Sequence, residues 1–191
     1  MENQILRFAG KEFFWIISKL LSLLKNKTGH TNGLLKGVKD LTVLRNGHLV
    51  SCSQDKTIKI WYSPSDVITL TGMPCSVTAL AALPDGSLAS GSNDCKLRIW
   101  NVTNGEVKKT FLGHNLPINC LAVLSGTRIA SGSSDRTIKL WNTNTGTLIM
   151  SLSAFNSSVM SLAALVDGTL ASGLGDGKIV TIIIIIITII L

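Results

Sequence analysis

Serine, histidine and aspartate, the residue types that together cleave acyl bonds, come close together in this chain at His114, Ser131 and Asp135. A hydroxyl activated by an imidazole that a carboxylate orients is the constellation of a serine hydrolase. Multiplicity argues against that chemistry here. Serine and aspartate return four residues apart as Ser51 and Asp55, Ser90 and Asp94, Ser131 and Asp135, and Ser172 and Asp176. The first three pairs are each followed by a tryptophan, Trp61, Trp100 and Trp141. A catalytic centre is built once, so a constellation copied along the chain reads as structural. No Walker loop, H-E-x-x-H or Rossmann fingerprint takes its place. Cys52, Cys75, Cys95 and Cys120 form no C-x-x-C pair, so neither a zinc site nor a redox motif is expected. They read as buried, reduced thiols of a cytoplasmic protein. His48, beside a hairpin turn, reads as an exposed turn residue. The expectation is a protein without enzymatic activity, cofactor or metal.

The elements that position these residues follow from the same repeat. The block Ser51–Trp61 returns as Ser90–Trp100 and Ser131–Trp141, and a fourth copy from Ser172 loses its tryptophan. The four aspartates are separated by 39, 41 and 41 residues. A period near forty belongs to four-stranded propeller blades, not to helical-pair or leucine-rich repeats. Asn46-Gly47, Asp85-Gly86, Ser125-Gly126 and Asp167-Gly168 each separate two apolar runs, as hairpin turns with glycine at a positive φ do. A first strand precedes each turn: Leu41–Leu44, Val77–Leu83, Ile118–Leu124 and Val159–Val166. The alternating strand Thr137–Trp141 and its counterparts follow each aspartate. Fourth strands are predicted at Val67–Thr71, Val107–Phe111 and Leu148–Leu152.

These residues closely resemble the WD40-repeat family, whose signature pairs an early Gly-His with a late Trp-Asp. Gly113-His114 is the clearest Gly-His and Gly29-His30 the other. The terminal aspartate is replaced by Tyr62, Asn101 and Asn142. The resemblance covers residues 29 to about 180 and implies an all-β fold, a partial β-propeller of about four blades (approximately 29–71, 72–112, 113–153 and 154–181), the last incomplete. It also implies that the repeated polar residues form a structural hydrogen-bond relay. The full set is His114, Ser131, Asp135 and Trp141 in the third blade and His30, Ser51, Asp55 and Trp61 in the first. Ser90, Asp94 and Trp100 serve the second, where Met73 holds the histidine position. Ser172 and Asp176 serve the fourth, where Phe155 holds it, so both of these relays are expected to be partial. A buried imidazole or indole N–H left unpaired costs about 1–3 kcal/mol, so each needs a fixed partner. An aspartate in a tight turn accepts from backbone N–H groups and pins the next strand.

Both ends depart from the repeat. In residues 1–27, Ile5, Ala9, Phe13, Ile16, Leu20 and Leu23 recur at helical spacing opposite Arg7, Lys11, Ser18 and Lys25. This predicts an amphipathic helix that caps the propeller or lies on an anionic membrane. It is too short an apolar run to span one. Residues 182–191 are nearly pure isoleucine, with the composition of an aggregation-prone strand, and read as a truncated copy strayed from the repeat.

With 46% hydrophobic and 15% charged residues, most of the chain is expected to be ordered. The net charge of +7 is dispersed, without aromatic interleaving, so nucleic acid is not an expected partner. The expected role is a scaffold binding other proteins or peptides. The resemblance implies that its contact face would hold Gln54, Asn93 and Ser134, just before the turn aspartates, with Asn115 and Pro117. Open blade edges invite self-association. The competing readings are a peripheral membrane adaptor anchored by residues 1–27 and a fragment with no independent function.

Overall fold

The computed structural model describes residues 37–63, 65–153 and 155–183. The expected helix over 1–27, the first Gly-His at residues 29 and 30, and residues 184–191 of the tail lie outside them.

The chain is all-β over the described residues, in four antiparallel sheets of sequential strands. The first sheet is β1 (Val38–Val43), β2 (Leu49–Ser53), β3 (Ile58–Trp61) and β4 (Val67–Leu70). The second is β5 (Val77–Ala82), β6 (Leu88–Ser92), β7 (Leu97–Trp100) and β8 (Val107–Phe111). The third is β9 (Ile118–Val123), β10 (Arg128–Ser133), β11 (Ile138–Asn142) and β12 (Leu148–Leu152). The fourth has three described strands, β13 (Val159–Ala164), β14 (Thr169–Leu174) and β15 (Ile179–Ile183). First strands pack on one another in chain order, β1 on β5, β5 on β9 and β9 on β13, so the sheets fan out as successive propeller blades.

Three apolar clusters hold the blades together, one at each junction. Trp100 and Val77 pack with Val50, Ile58 and Ile60 of the first blade. Trp141 and Ile129 pack with Leu97, Ile99 and Phe111 of the second. Val159 and Leu170 pack with Ile138 and Leu140 of the third. Trp100 and Trp141 thus each spend their ring on the preceding blade, Trp141 standing edge-on to Phe111 at 5.5 Å between centroids. Polar groups repeat the junctions at a spacing of 40 residues. Asp40 Oδ2 accepts the Leu80 N–H at 2.7 Å, Thr78 Oγ1 donates to the Ile118 carbonyl, and Asn119 Nδ2 donates to the Val159 carbonyl at 2.9 Å. Thr78 and Asn119 occupy the irregular position of their first strands, which turns an extra side chain toward the next blade.

The glycine in the Ser-Gly-Ser segments is demanded by this stacking. A β-carbon on Gly91 would stand 2.6 Å from Ile118 Cγ2 of the next blade, and one on Gly132 would run into Val159 of the next blade. The first turns of blades one, two and four close with a bond from Gly47, Gly86 and Gly168 back to Leu44, Leu83 and Leu165. In blade three the positive φ falls one residue earlier, at Gly126, and Leu124 receives no such bond. Ser125-Gly126 is therefore a hairpin turn of the same length but a different kind, a distinction its dipeptide does not reveal.

Two further expectations are corrected. His48 is half-buried and not an exposed turn residue, because it directly precedes β2 and its ring packs on Tyr62, which follows β3, at 4.3 Å between centroids. All four cysteines are free thiols, but only Cys52 is fully buried. Cys75 and Cys95 lie in a loop and a turn at the end of blade two, and Cys120 is partly exposed on β9, so these three are only partly covered.

Candidate functional site

The turn between the second and third strands carries the aspartate in every blade. Its backbone crosses from the strand into the next through a bond from the N–H of the residue after the aspartate to the carbonyl of the residue two before the aspartate, at Ser53, Ser92, Ser133 and Leu174. The residue after the aspartate lies in the left-handed region in all four: Lys56 at φ 68°, Cys95 at 66°, Arg136 at 65° and Gly177 at 84°. This is a type I turn completed by a left-handed residue, a position that usually takes glycine. Three blades hold a side-chain-bearing residue there, and the aspartate explains how. Asp55 Oδ1 accepts from the Thr57 N–H at 3.0 Å and its hydroxyl at 2.7 Å, and Asp135 Oδ1 from Thr137 in the same way. Those bonds fix the turn from both sides.

Blade three brings the full expected set together. Trp141 Nε1 donates to Ser131 Oγ at 2.8 Å, Ser131 Oγ lies 2.7 Å from His114 Nε2, and His114 Nδ1 lies 2.8 Å from Asp135 Oδ2. Asp135 Oδ2 also accepts the Asn115 N–H at 3.0 Å. Burial lowers the pKa of His114, with Asp135 opposing it, so the ring is neutral. A neutral ring gives each proton one place: indole to serine, serine to Nε2, and Nδ1–H to the carboxylate. Burial raises the Asp135 carboxyl, but hydrogen bonds from Thr137, His114 and Asn115 outweigh it and hold the group down to about 2. Ser131 is 0% exposed and His114 7%. A hydroxyl sealed from solvent and already bonded to an indole has no path to a substrate, which sets this arrangement apart from a hydrolytic triad.

The other blades show what varies. In blade one Trp61 Nε1 donates to Ser51 Oγ at 2.9 Å, while His30 lies outside the described residues. In blade two Trp100 Nε1 donates to Ser90 Oγ at 2.8 Å. With Met73 buried at the histidine position, Asp94 turns to Arg98, whose guanidinium grips both carboxylate oxygens at 3.1 and 2.5 Å. Burial raises Asp94, and Arg98 more than offsets this, so its pKa falls below the usual value. Arg98 is the residue that sequence reasoning missed. Its counterparts Lys59 and Lys139 reach outward to Thr69 and Ser151, so the position reads as a solvated charge. The available signal was the joint loss of histidine, at Met73, and of the turn threonine, at Lys96.

In blade four the relay is gone. Ile182 pairs with Leu170 where Trp141 pairs with Ile129, and Phe155 replaces the histidine. Ser172 Oγ is buried with no hydrogen-bond partner among the described residues. Asp176 keeps only its turn bond to the Lys178 N–H and an exposed pairing with the Lys178 ammonium at 3.3 Å.

At the same end of the blades, the turn residues Gln54, Asn93 and Ser134 are each tied by their backbone N–H to the segment entering the blade, at Gly37, Ser76 and Pro117. Asn93 and Asn115 are exposed, whereas Gln54, Ser134 and Pro117 are half-buried. Ser134 Oγ is drawn to Asn119. Among the described residues no group of histidine, cysteine and acidic side chains is placed to hold a metal ion.

The family model described as "WD domain, G-beta repeat" matches residues 21–62, 65–101 and 105–142, more than half of the chain. The chain belongs to the WD40-repeat family. Its fold matches the WD40 β-propeller domain of Doa1 with a TM-score of 0.71 and 29% identity, over 76% of this chain and 50% of that one. Nuclear distribution protein PAC1 of Fusarium vanettenii is 40% identical over 104 residues, which are 46% of this chain and 22% of that protein. Ubiquitin homeostasis protein lub1 of Schizosaccharomyces pombe is 36% identical over 83 residues, 43% of this chain and 11% of that protein. The WD40 repeats therefore span a minor part of the curated relatives they match.

Proposed function

We propose that this WD40 chain is a non-catalytic scaffold that binds other proteins or peptides at the end of the blades bearing the aspartate turns. The observation that carries the reading is the contrast at that end between fixed backbone and available side chains. Asp135 takes four hydrogen bonds from its turn and the neighbouring segment, while Asn115 stands exposed next to it and Asn93 stands exposed in the equivalent turn of blade two. A rigid frame presenting polar side chains loses little conformational freedom on binding. Gln54, Asn93, Ser134, Asn115 and Pro117 form the proposed contact face. Membership of a family whose propellers serve as interaction platforms supports the same reading. We place the activity in the cytoplasm, which the four free thiols support.

The test is affinity capture with the full 191-residue chain, compared with an Asn93→Ala, Asn115→Ala double variant. Both residues are exposed, so the fold is expected to survive. Reproducible partners retained by the parent and depleted at least several-fold by the variant support the face. Identical capture by both would move the binding site elsewhere.

A further inference from the structure

The opposite end of the blades, where first and second strands are joined, offers a second surface. At the junction of blades one and two, Arg45 reaches across and its Nη1 donates to the Pro84 carbonyl at 3.0 Å. Arg45 and Pro84 hold the same place in their turns, each following the leucine that closes the hairpin. At the junction of blades three and four that place is taken by Ser125 and Val166. Serine is too short to make the crossing, and a cleft of about 430 Å³ lies between the two turns. Leu124 and Leu165 line it with Ser125, Arg128, Val166 and Asp167.

The polar groups of the cleft define what it accepts. Arg128 is folded back onto its own turn, donating through Nε and Nη2 to the Ser125 carbonyl and hydroxyl at 3.2 and 2.8 Å. Asp167 uses only Oδ1, for the Thr169 N–H and hydroxyl. Among the described residues nothing donates to Asp167 Oδ2 or to the Val166 carbonyl. Two acceptors, one of them charged, thus border an apolar strip made by Leu165 and Val166. We propose that this cleft receives an arginine side chain from a partner protein. Its guanidinium donates to the Val166 carbonyl and the Asp167 carboxylate, and its methylene stem lies on Leu165. The partner's arginine then occupies the place into which Arg45 reaches from within the chain two junctions earlier. This surface lies at the far end of the strands from the aspartate turns, so it is independent of the face proposed above.

The experiment is an amide-resolved NMR titration of the full chain with acetyl-Gly-Arg-Gly-amide, its citrulline counterpart and acetyl-Gly-Glu-Gly-amide. The arginine peptide is expected to shift residues 125–128 and 165–169. Replacing it with citrulline, or the chain's Asp167 with Asn, is expected to weaken binding roughly tenfold or more. Ser125→Arg supplies the guanidinium in place and is expected to abolish the shifts while leaving the circular dichroism spectrum unchanged. Absence of shifts with the parent chain, equal binding of the citrulline peptide, preference for the glutamate peptide, or undiminished binding by a folded Ser125→Arg variant would each overturn the assignment.

Discussion

His114 is the one described side chain whose relay is built around the neutral form of a group that charges near physiological pH. Its folded pKa lies below 6.5 because burial disfavours the imidazolium. As pH falls below 6.5 the unfolded chain takes a proton that the folded chain resists, so stability is lost as pH drops toward the folded value. Asp135 acts in the same direction, over the window between 3.8 and about 2, because the unfolded carboxylate protonates first. Denaturant titrations at stepped pH are expected to show a midpoint that declines on acidification, and His114→Gln is expected to flatten the part above about pH 4. The serines separate the blades more sharply. Ser131 serves an indole and an imidazole, so Ser131→Ala is expected to destabilise by about 1–3 kcal/mol. Ser172 serves neither, and Ser172→Ala is expected to be neutral or to stabilise by up to about 1 kcal/mol by removing a buried unpaired hydroxyl. Equilibrium unfolding of the pair checks both. The aspartates, serines and tryptophans were legible because each is copied at fixed spacing. Arg98 was not, since the same position carries an outward lysine in its neighbours and only the fold shows which way the side chain turns.

Strands and turns were read closely from the sequence, and the reasons differ by element. The second and third strands declare themselves through the serine, aspartate and tryptophan landmarks, and the fourth through short apolar stretches that follow them. β1 begins at Val38, three residues before the apolar run that announced it, because Lys39 and Asp40 break the pattern while still serving the sheet. Asp40 reaches the next blade, a contact 40 residues away that no local pattern carries. The glycines of the Ser-Gly-Ser segments were legible as a repeat but not as a packing requirement. Gly91→Ala forces a β-carbon against Ile118 and is expected to cost about 1–3 kcal/mol, read as a lower thermal midpoint. The missing tryptophan of blade four offers the converse test. Ile182→Trp places an indole N–H where Ser172 lacks a donor, and it is expected to raise stability by about 0.5–1.5 kcal/mol provided the ring is accepted beside Leu170. Ser172→Ala in that background should then become destabilising, a reversal of sign that a double-mutant cycle detects.

For the molecule as a whole, the number and order of the blades followed from the forty-residue period, whereas the state of their outer faces did not. Blades two and three are covered on both sides. The far face of blade four exposes Met160 at 54%, Ile179 at 81% and Ile183 at 74%. Apolar surface of this kind is adhesive. An Ile179→Lys, Ile183→Lys variant of the full chain is expected to show less concentration-dependent light scattering than the parent at equal secondary-structure content. The junctions carry a further consequence. Every stabilising contact described between blades, apolar or polar, joins one blade only to the next, so cooperation passes along the arc from neighbour to neighbour and not through a shared centre. Opening should therefore begin at the outermost blades and travel inward. Native-state hydrogen exchange ought to grade accordingly, with the amides of β6 and β10 the last to trade deuterium and those of β14 well ahead of them.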